Sequence, residues 1–221
     1  MDNTKVKGYA YGVIASVSYG LNPLFALPLY ASGIRVDSVL FYRYVFALLF
    51  LAVMMKMSGQ SFALKRNEIL PVAVMGLLFS FSSLFLFQSF NYMDAGIAST
   101  ILFMYPVLVA VIMAVFFKER LSVVKIASIA TAFVGISMLY KGEGGATLSM
   151  TGVCLVLMSS LTYALYIVGV NRSSLKEMPG LKLTFYAILF GSLVYIVRLR
   201  GGASGTRNNP FDNIIFCAVF F

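Results

Sequence analysis

Polar side chains recur at helical spacing inside long apolar stretches of this sequence. In the first stretch, Ser18, Tyr19 and Asn22 share one helix face, and Pro23 follows them. The sixth stretch carries a similar set of hydroxyl residues, namely Ser159, Thr162, Tyr163 and Tyr166. Polar groups in a membrane cost free energy unless they face protein or water, so both stripes predict a central cavity that binds a small solute. Helix packing through small and hydroxylated residues is the alternative, with equal weight.

Arg43 is a basic residue well inside the second apolar stretch, between Tyr42 and Tyr44. One interpretation makes it an anchor or packing residue whose long side chain reaches the membrane interface. The other makes it a cationic group that orients a carboxylate-bearing solute.

The third and fourth stretches add further candidates for solute contact, which are Ser83, Gln88, Thr100 and Tyr105. An amide and a phenol are costly in lipid and indicate a wet cavity, whereas serines also bond to backbone carbonyls. Asp94 precedes the fourth stretch and is interpreted as a helix cap in preference to a proton carrier. No acidic residue lies deep in any stretch, so a relay of buried carboxylates is not predicted.

The sequence contains few residues of the types that catalyse reactions or bind metals. The chain has no histidine, and Cys154 and Cys217 lie in apolar stretches without a CxxC or Cys/His partner. Nucleotide-binding, zinc-protease and serine-hydrolase motifs are also missing from the sequence. We therefore expect no enzyme activity, no cofactor and no metal.

Composition places these residues in a lipid environment. Of the 221 residues, 60% are hydrophobic and 11% are charged, and the mean hydropathy is +0.90. Too little polar surface remains to cover a soluble globule, so the sequence predicts an all-α bundle of membrane-spanning helices. The net charge of +9 comes from basic residues at the ends of apolar runs. Basic residues in these positions determine the orientation of membrane helices and do not form a nucleic-acid surface. We therefore expect the lipid bilayer and a small-molecule substrate as partners and no nucleic acid. A homodimer is possible on this sequence.

Seven apolar stretches are long enough to cross a bilayer. Their predicted bounds are 8–29, 36–55, 69–90, 95–117, 123–140, 150–170 and 181–197. A further run, Ile214 to Phe221, is too short to cross.

The basic residues also predict the orientation of the helices. With the N-terminus inside, the inner breaks up to residue 197 hold Lys5, Lys7, Lys56, Lys65, Arg66, Lys118, Arg120, Lys125, Arg172, Lys176 and Lys182. The outer breaks hold only Arg35 and Lys141. This asymmetry obeys the positive-inside rule. The segment 198–213 should lie outside but carries three arginines, which breaks the rule. We hypothesise that a cut, a splice or a frame shift near residue 198 accounts for these charges. Reading the encoding DNA would test this hypothesis.

The sequence also repeats itself at a displacement of 144 residues. Tyr19 then aligns with Tyr163, Phe41-Tyr42 with Phe185-Tyr186, and Ala47 with Gly191. Five spans separate equivalent points, so the second copy enters the membrane from the opposite side, as in many transporters. The predicted organisation is a five-helix repeat at 8–140, the first two helices of an inverted second repeat at 150–197, and an atypical tail at 198–221.

One stretch carries a family resemblance. The run AGIASTILFMYPVLVA from Ala95 to Ala110, followed by Phe116 to Leu121, resembles the fourth-span signature of EamA-like transporters in the drug/metabolite transporter superfamily. Arg43 and the restart at Gly152 fit the same pattern, so the resemblance covers about residues 8–197. It implies a ten-helix fold of two five-helix inverted repeats that moves amino acids and other small metabolites. Residues 198–213 depart from the family.

These observations predict a secondary transporter of small organic metabolites, amino-acid-like or drug-like, or an inactive truncated form of one. We expect it in the bacterial cytoplasmic (inner) membrane, crossing it several times with the N-terminus inside. The alternative is a multi-span structural or interaction protein without transport activity, which would need neither a cavity nor a repeat.

Overall fold

The computed structural model describes residues 3–119, 127, 131, 134 and 149–201. The described residues divide into two units, the first before residue 36 and the second from residue 36 onward. Within the described ranges, all regular structure is helical. The predicted multi-span helical bundle is thereby confirmed.

In the first unit, α1 (Asn3–Gly20) and α2 (Asn22–Ala31) form one membrane-length segment. Leu21 separates them, and Pro23 lies in the first turn of α2. A proline lacks the N–H of a helix interior but fits a first turn, so the chain restarts its helix there. The predicted first span, 8–29, agrees with this segment to within two residues at each end.

The second unit contains four helices before residue 119 and two after residue 149. Their described bounds are α3 (Val36–Met57), α4 (Arg66–Ser89), α5 (Ala95–Leu102), α6 (Tyr105–Phe117), α7 (Met150–Arg172) and α8 (Gly180–Gly201). A short 3-10 helix, Ser174–Glu177, joins α7 to α8. In the two units together, six described segments are long and apolar enough to cross a membrane, counting α1 with α2 as one and α5 with α6 as another. The predicted fifth span, 123–140, lies outside the described residues except for three isolated positions.

The fourth span is broken in its middle. Asp94 caps its start, because its Oδ1 accepts the N–H of Gly96 at 2.8 Å and of Ile97 at 3.2 Å. This confirms the predicted cap. The helix then stops at Leu102 and restarts at Tyr105, with Pro106 in the first turn of α6. Here too, a proline near the start of the second piece explains the restart.

The packing of the second unit centres on α4, which runs parallel to α8 and antiparallel to α7. Small residues allow the close approach of α4 and α8, since a Cβ added to Gly76 would lie 2.5 Å from the Ala187 carbonyl oxygen. One turn further on, a Cβ at Gly191 would lie 2.4 Å from Ser80 Oγ. Pairs of small residues four apart are a common contact between membrane helices. We call these four residues, Gly76, Ser80, Ala187 and Gly191, the small-residue seam.

Helices α3 and α8 have the same length, 22 residues, and their bounds are displaced by the 144 residues of the proposed repeat. They pack antiparallel, because Arg198 at the end of α8 bonds to Asp37 at the start of α3, while Lys182 and Tyr186 reach the loop after α3. α8 extends beyond the expected boundary at Val197. Arg198, on this added turn of α8, is exposed but pairs with the buried carboxylate of Asp37 on α3.

Candidate functional site

A row of aromatic rings crosses the second unit from α8 to α6. The rings belong to Tyr195, Tyr44, Phe79, Tyr166, Tyr163 and Tyr105, and we call them the aromatic seam. Tyr195 and Tyr44 have centroids 4.8 Å apart, edge to face, and Tyr105 and Tyr163 repeat that arrangement at 4.8 Å. Phe79 links the two ends, with its centroid 6.3 Å from Tyr44 and 5.4 Å from Tyr166. These separations are typical of stabilising aromatic pairs.

The α8 end of the aromatic seam is closed. Tyr195 and Tyr44 are buried, with 0% and 4% of their surface exposed. The Tyr195 hydroxyl donates to the Ser80 carbonyl oxygen at 2.9 Å, and the Tyr44 hydroxyl donates to Ser83 Oγ at 3.2 Å. Each phenol therefore has a protein partner, as a buried polar group in a membrane requires.

The α6 end of the aromatic seam is more open. Tyr105, Tyr163 and Tyr166 are half-buried. The rings of Tyr163 and Tyr166 lie 5.9 Å apart and stack one turn from each other on α7. Neither hydroxyl donates a hydrogen bond to another residue in the part of the chain that the structure describes. Two phenol donors are thus held by ring packing and left available to a ligand or to water.

Ser159 and Thr162, predicted in the same stripe, use their hydroxyls within the protein. Ser159 Oγ donates to the Ser82 carbonyl oxygen at 2.7 Å, and Ser82 Oγ donates to the Ser159 carbonyl oxygen at 3.0 Å. This reciprocal pair, the serine clasp, joins α7 to α4 and is buried. Thr162 Oγ1 bonds back to the Met158 carbonyl oxygen at 2.8 Å, the usual way for a hydroxyl to be satisfied inside a helix.

The other predicted site residues of the second unit lie on α3, α4 and α5. Arg43 is half-buried, with its guanidinium carbon 5.2 Å from the centroid of the Phe87 ring, a cation–π distance. Gln88 is half-buried near the end of α4. Thr100 is exposed and bonds back to the Gly96 carbonyl oxygen at 2.9 Å.

Tyr19 and Asn22 belong to the first unit. Tyr19 is exposed near the end of α1, and Asn22 is half-buried at the first position of α2. The predicted meeting of their stripe with that of α7 concerns both units and stays a prediction.

Three rings of the aromatic seam, Tyr44, Phe79 and Tyr195, were not candidates from sequence. Tyr44 lies eight residues after the start of α3, and Tyr195 lies six residues before the end of α8. Because the two helices are antiparallel, these positions fall at nearly the same depth. The predicted inverted repeat, which makes α3 and α8 antiparallel, was the sequence signal that could have paired Tyr44 with Tyr195.

Polar contacts close both ends of the second unit. At the first, which we call the Asp37 end, Arg198 Nε lies 2.6 Å from Asp37 Oδ1, and 7% of the Asp37 side chain is exposed. At the opposite Lys182 end, the Lys182 ammonium donates to the Ala63 carbonyl oxygen and the Tyr186 hydroxyl to that of Phe62. Arg172 there pairs with Glu119 and lies 4.4 Å from the centroid of the Phe117 ring.

Residue types that hold metals do not gather in the described part of the chain. No group of three or more His, Cys, Asp or Glu side chains lies together there. The aromatic seam offers ring faces for stacking or cation–π contact and phenols for hydrogen bonding.

Known proteins resemble this chain. The sequence profile of the EamA-like transporter family matches residues 6–141. An uncharacterized transporter of Bacillus subtilis, YxxF, is 29% identical over 131 residues, which are 57% of this chain and 42% of that protein. An uncharacterized transporter of Archaeoglobus fulgidus is 26% identical over 131 residues, or 58% and 46% of the two chains. YvbV, another uncharacterized transporter of Bacillus subtilis, is 25% identical over 159 residues, or 71% and 50%. The chain spans about half the length of these curated relatives or less, and no solved structure gives a significant match.

Proposed function

Because the chain belongs to the EamA-like transporter family, we propose that it moves small organic solutes, amino-acid-like or drug-like, across the membrane as a secondary transporter. It is a multi-pass integral membrane protein, and its relatives carry the name transporter. The family supports transport, and the solute class is our proposal.

The observation that carries the proposal is the open end of the aromatic seam. Half-buried Tyr105, Tyr163 and Tyr166 present ring faces and phenol donors between α6 and α7. Binding sites for small molecules combine apolar and aromatic walls with a few placed polar groups, and this set has that composition. Ring faces suit an aliphatic or aromatic body or an ammonium group, and phenols suit a carboxylate.

The closed end supports the same role indirectly. Tyr44, Tyr195 and Ser83 have their polar atoms bonded within the protein, and Phe79 lies between them and Tyr166. A ligand at Tyr163 and Tyr166 would therefore rest against a fixed wall. A preformed wall lowers the ordering cost of binding.

We further propose that the Lys182 end faces the cytoplasm, in the bacterial inner membrane. Lys56, Lys65, Lys176 and Lys182 all lie there, as the positive-inside rule requires. Arg198 at the Asp37 end would then be outside. Its ion pair with Asp37 offsets the charge that otherwise argues against this position.

Uptake into proteoliposomes tests the proposed function. The purified 221-residue chain is reconstituted and offered each standard amino acid as a labelled tracer. We expect uptake of at least one tracer above empty vesicles, and we expect Tyr163→Phe with Tyr166→Phe to reduce it about thirtyfold, because two hydrogen bonds of about 1 kcal/mol each are lost.

Tyr92→Phe is the matched control, since Tyr92 is exposed in the turn before α5 and outside the aromatic seam. It should keep full uptake. Equal loss in both variants would argue against the aromatic seam as the solute site. No uptake of any tracer by a folded chain would favour a structural or interaction protein.

A further inference from the structure

Two cavities adjoin each other at the Lys182 end of the second unit. The larger, about 640 Å³, lies among the loop after α3, the start of α4, the 3-10 helix and the start of α8. The smaller, about 310 Å³, lies between α6 and α7. Lys176 lines both, so the two spaces are neighbours.

The larger cavity is polar and carries more positive than negative charge. Lys65, Lys176 and Lys182 line it from three separate segments, against the carboxylates of Glu68 and Glu177. Glu68 is already engaged, because its Oε2 accepts the Lys65 N–H at 3.2 Å at the start of α4. The long helices α4 and α8 also begin here, and their N-terminal N–H groups favour an anion.

The smaller cavity has a different lining. Val109 and Met113 of α6 face Ile167 and Val168 of α7, and the polar residues lie at its end near Glu119 and Arg172. Val109 and Met113 come one to two turns before the end of α6. The apolar wall thus leads from the polar cavity toward the depth of the membrane.

We propose that these cavities together bind an anionic phospholipid. Its phosphate lies among Lys65, Lys176 and Lys182, and an acyl chain follows the wall of Val109, Met113 and Val168. A free phosphate would use only the larger cavity. Basic pockets between the ends of membrane helices suit anionic headgroups, and an adjoining apolar slot suits the chain that comes with them.

Thermal unfolding of the detergent-solubilised chain tests the proposal without any transported solute. Phosphatidylglycerol is titrated against wild type, and phosphatidylcholine, glycerol phosphate and inorganic phosphate are titrated in parallel. We expect a saturable rise in Tm with phosphatidylglycerol alone. K176Q/K182Q should need about 25-fold more of it for half the rise, at about fivefold per lysine.

K56Q is the matched control, because Lys56 lies in the last turn of α3 at the same end and lines neither cavity. It should behave as wild type. Loss in K56Q equal to that in K176Q/K182Q would overturn the site in favour of diffuse surface attraction. Equal rises with glycerol phosphate or inorganic phosphate would overturn the lipid assignment.

Folding of the variants is checked by helical circular dichroism and by Tm without lipid. If K176Q/K182Q does not fold, K176Q alone tests both cavities and should shift the half-point about fivefold. These measurements involve no transport, so their failure leaves the proposed function untouched, and a chain that binds lipid but carries no solute is distinguished from one that does neither.

Discussion

Helix α7 carries two sets of polar side chains in different surroundings. Toward α4, Ser159 exchanges hydrogen bonds with Ser82 in the buried serine clasp. Toward α6 and Phe79, Tyr163 and Tyr166 are half-buried, and their rings are packed. Hydroxyls four residues apart on one helix thus serve either packing or an open surface. The two sets differ in whether the polar atom is bonded within the protein or available to a ligand.

The packed side continues from α4 into the small-residue seam with α8, so it includes the tightest contacts of the second unit. The close approach of the α4 and α8 backbones fixes the position of these two helices, and little space for a ligand remains between them. The open side is set by ring contacts of 4.8 to 5.9 Å. We therefore expect changes on the packed side to act on stability and changes on the open side to act on binding.

The largest effect on stability is expected from Gly76→Ala. The new Cβ would lie 2.5 Å from the Ala187 carbonyl oxygen, and a backbone atom cannot move aside cheaply. We expect the free energy of unfolding in detergent to fall by about 3 kcal/mol. Gly180→Ala is the control, since a Cβ there meets nothing within 4 Å. Equal Tm values for the two variants would show that α4 and α8 are not in close contact.

Next in size is Arg198→Gln, which removes the ion pair at the Asp37 end. Two hydrogen bonds to a carboxylate are lost, and 7% of that side chain is exposed, so we expect a loss of about 2 kcal/mol. Arg200→Gln, at an exposed site two residues on, should change stability little. If denaturant titration gave the same result for both, the ion pair would contribute nothing.

A smaller effect is expected from the serine clasp. Ser159→Ala or Ser82→Ala should each cost about 1 kcal/mol, because hydrogen bonds between membrane helices contribute modestly. The double variant should cost less than the sum of the two, since both changes remove the same bonds. Unfolding of all three variants in a denaturing detergent series measures this. Strict additivity would mean that the two serines act independently.

The smallest effect on stability is expected on the open side. Tyr163→Phe keeps the ring contacts and removes a hydroxyl that donates no bond within the described residues, so stability should change by less than about 0.5 kcal/mol. Tyr195→Phe removes a buried bond to the Ser80 carbonyl oxygen and should cost about 1 kcal/mol. Thermal unfolding of this matched pair compares the two ends of the aromatic seam. The reverse order would contradict their assignment as closed and open.

The six described membrane spans could be predicted because length and apolarity alone determine them. The breaks at Leu21 and at Phe103–Met104 could not be predicted, although the sequence has Pro23 and Pro106 just after them. A proline in an apolar run permits either a kinked continuous helix or a restart, and the choice depends on neighbouring helices. The cap at Asp94 was predictable because it depends only on adjacent backbone N–H groups.

Part of the candidate site could also be predicted, because some of its residues stand out in the sequence without knowledge of their neighbours. Tyr105, Tyr163 and Tyr166 could be named because each is a polar group in an apolar run. Their partners Phe79 and Tyr44 come from other helices, and only the register between helices brings them together. Ser159 shows the same limit, because nothing local distinguishes a hydroxyl that meets Ser82 from one that faces a cavity. Solute contact by all these residues stays a prediction.

Water access along α7 tests the central claim most directly. Single cysteines replace Tyr163, Tyr166 or Leu165 in a chain without Cys154 and Cys217, and membranes are treated with a water-soluble thiol reagent. Leu165 is the control because it is an apolar side chain on the same helix with 40% of its surface exposed. We predict fast labelling at positions 163 and 166 and slow labelling at 165. Equal protection of all three positions would contradict a water-accessible solute site at the open end of the aromatic seam.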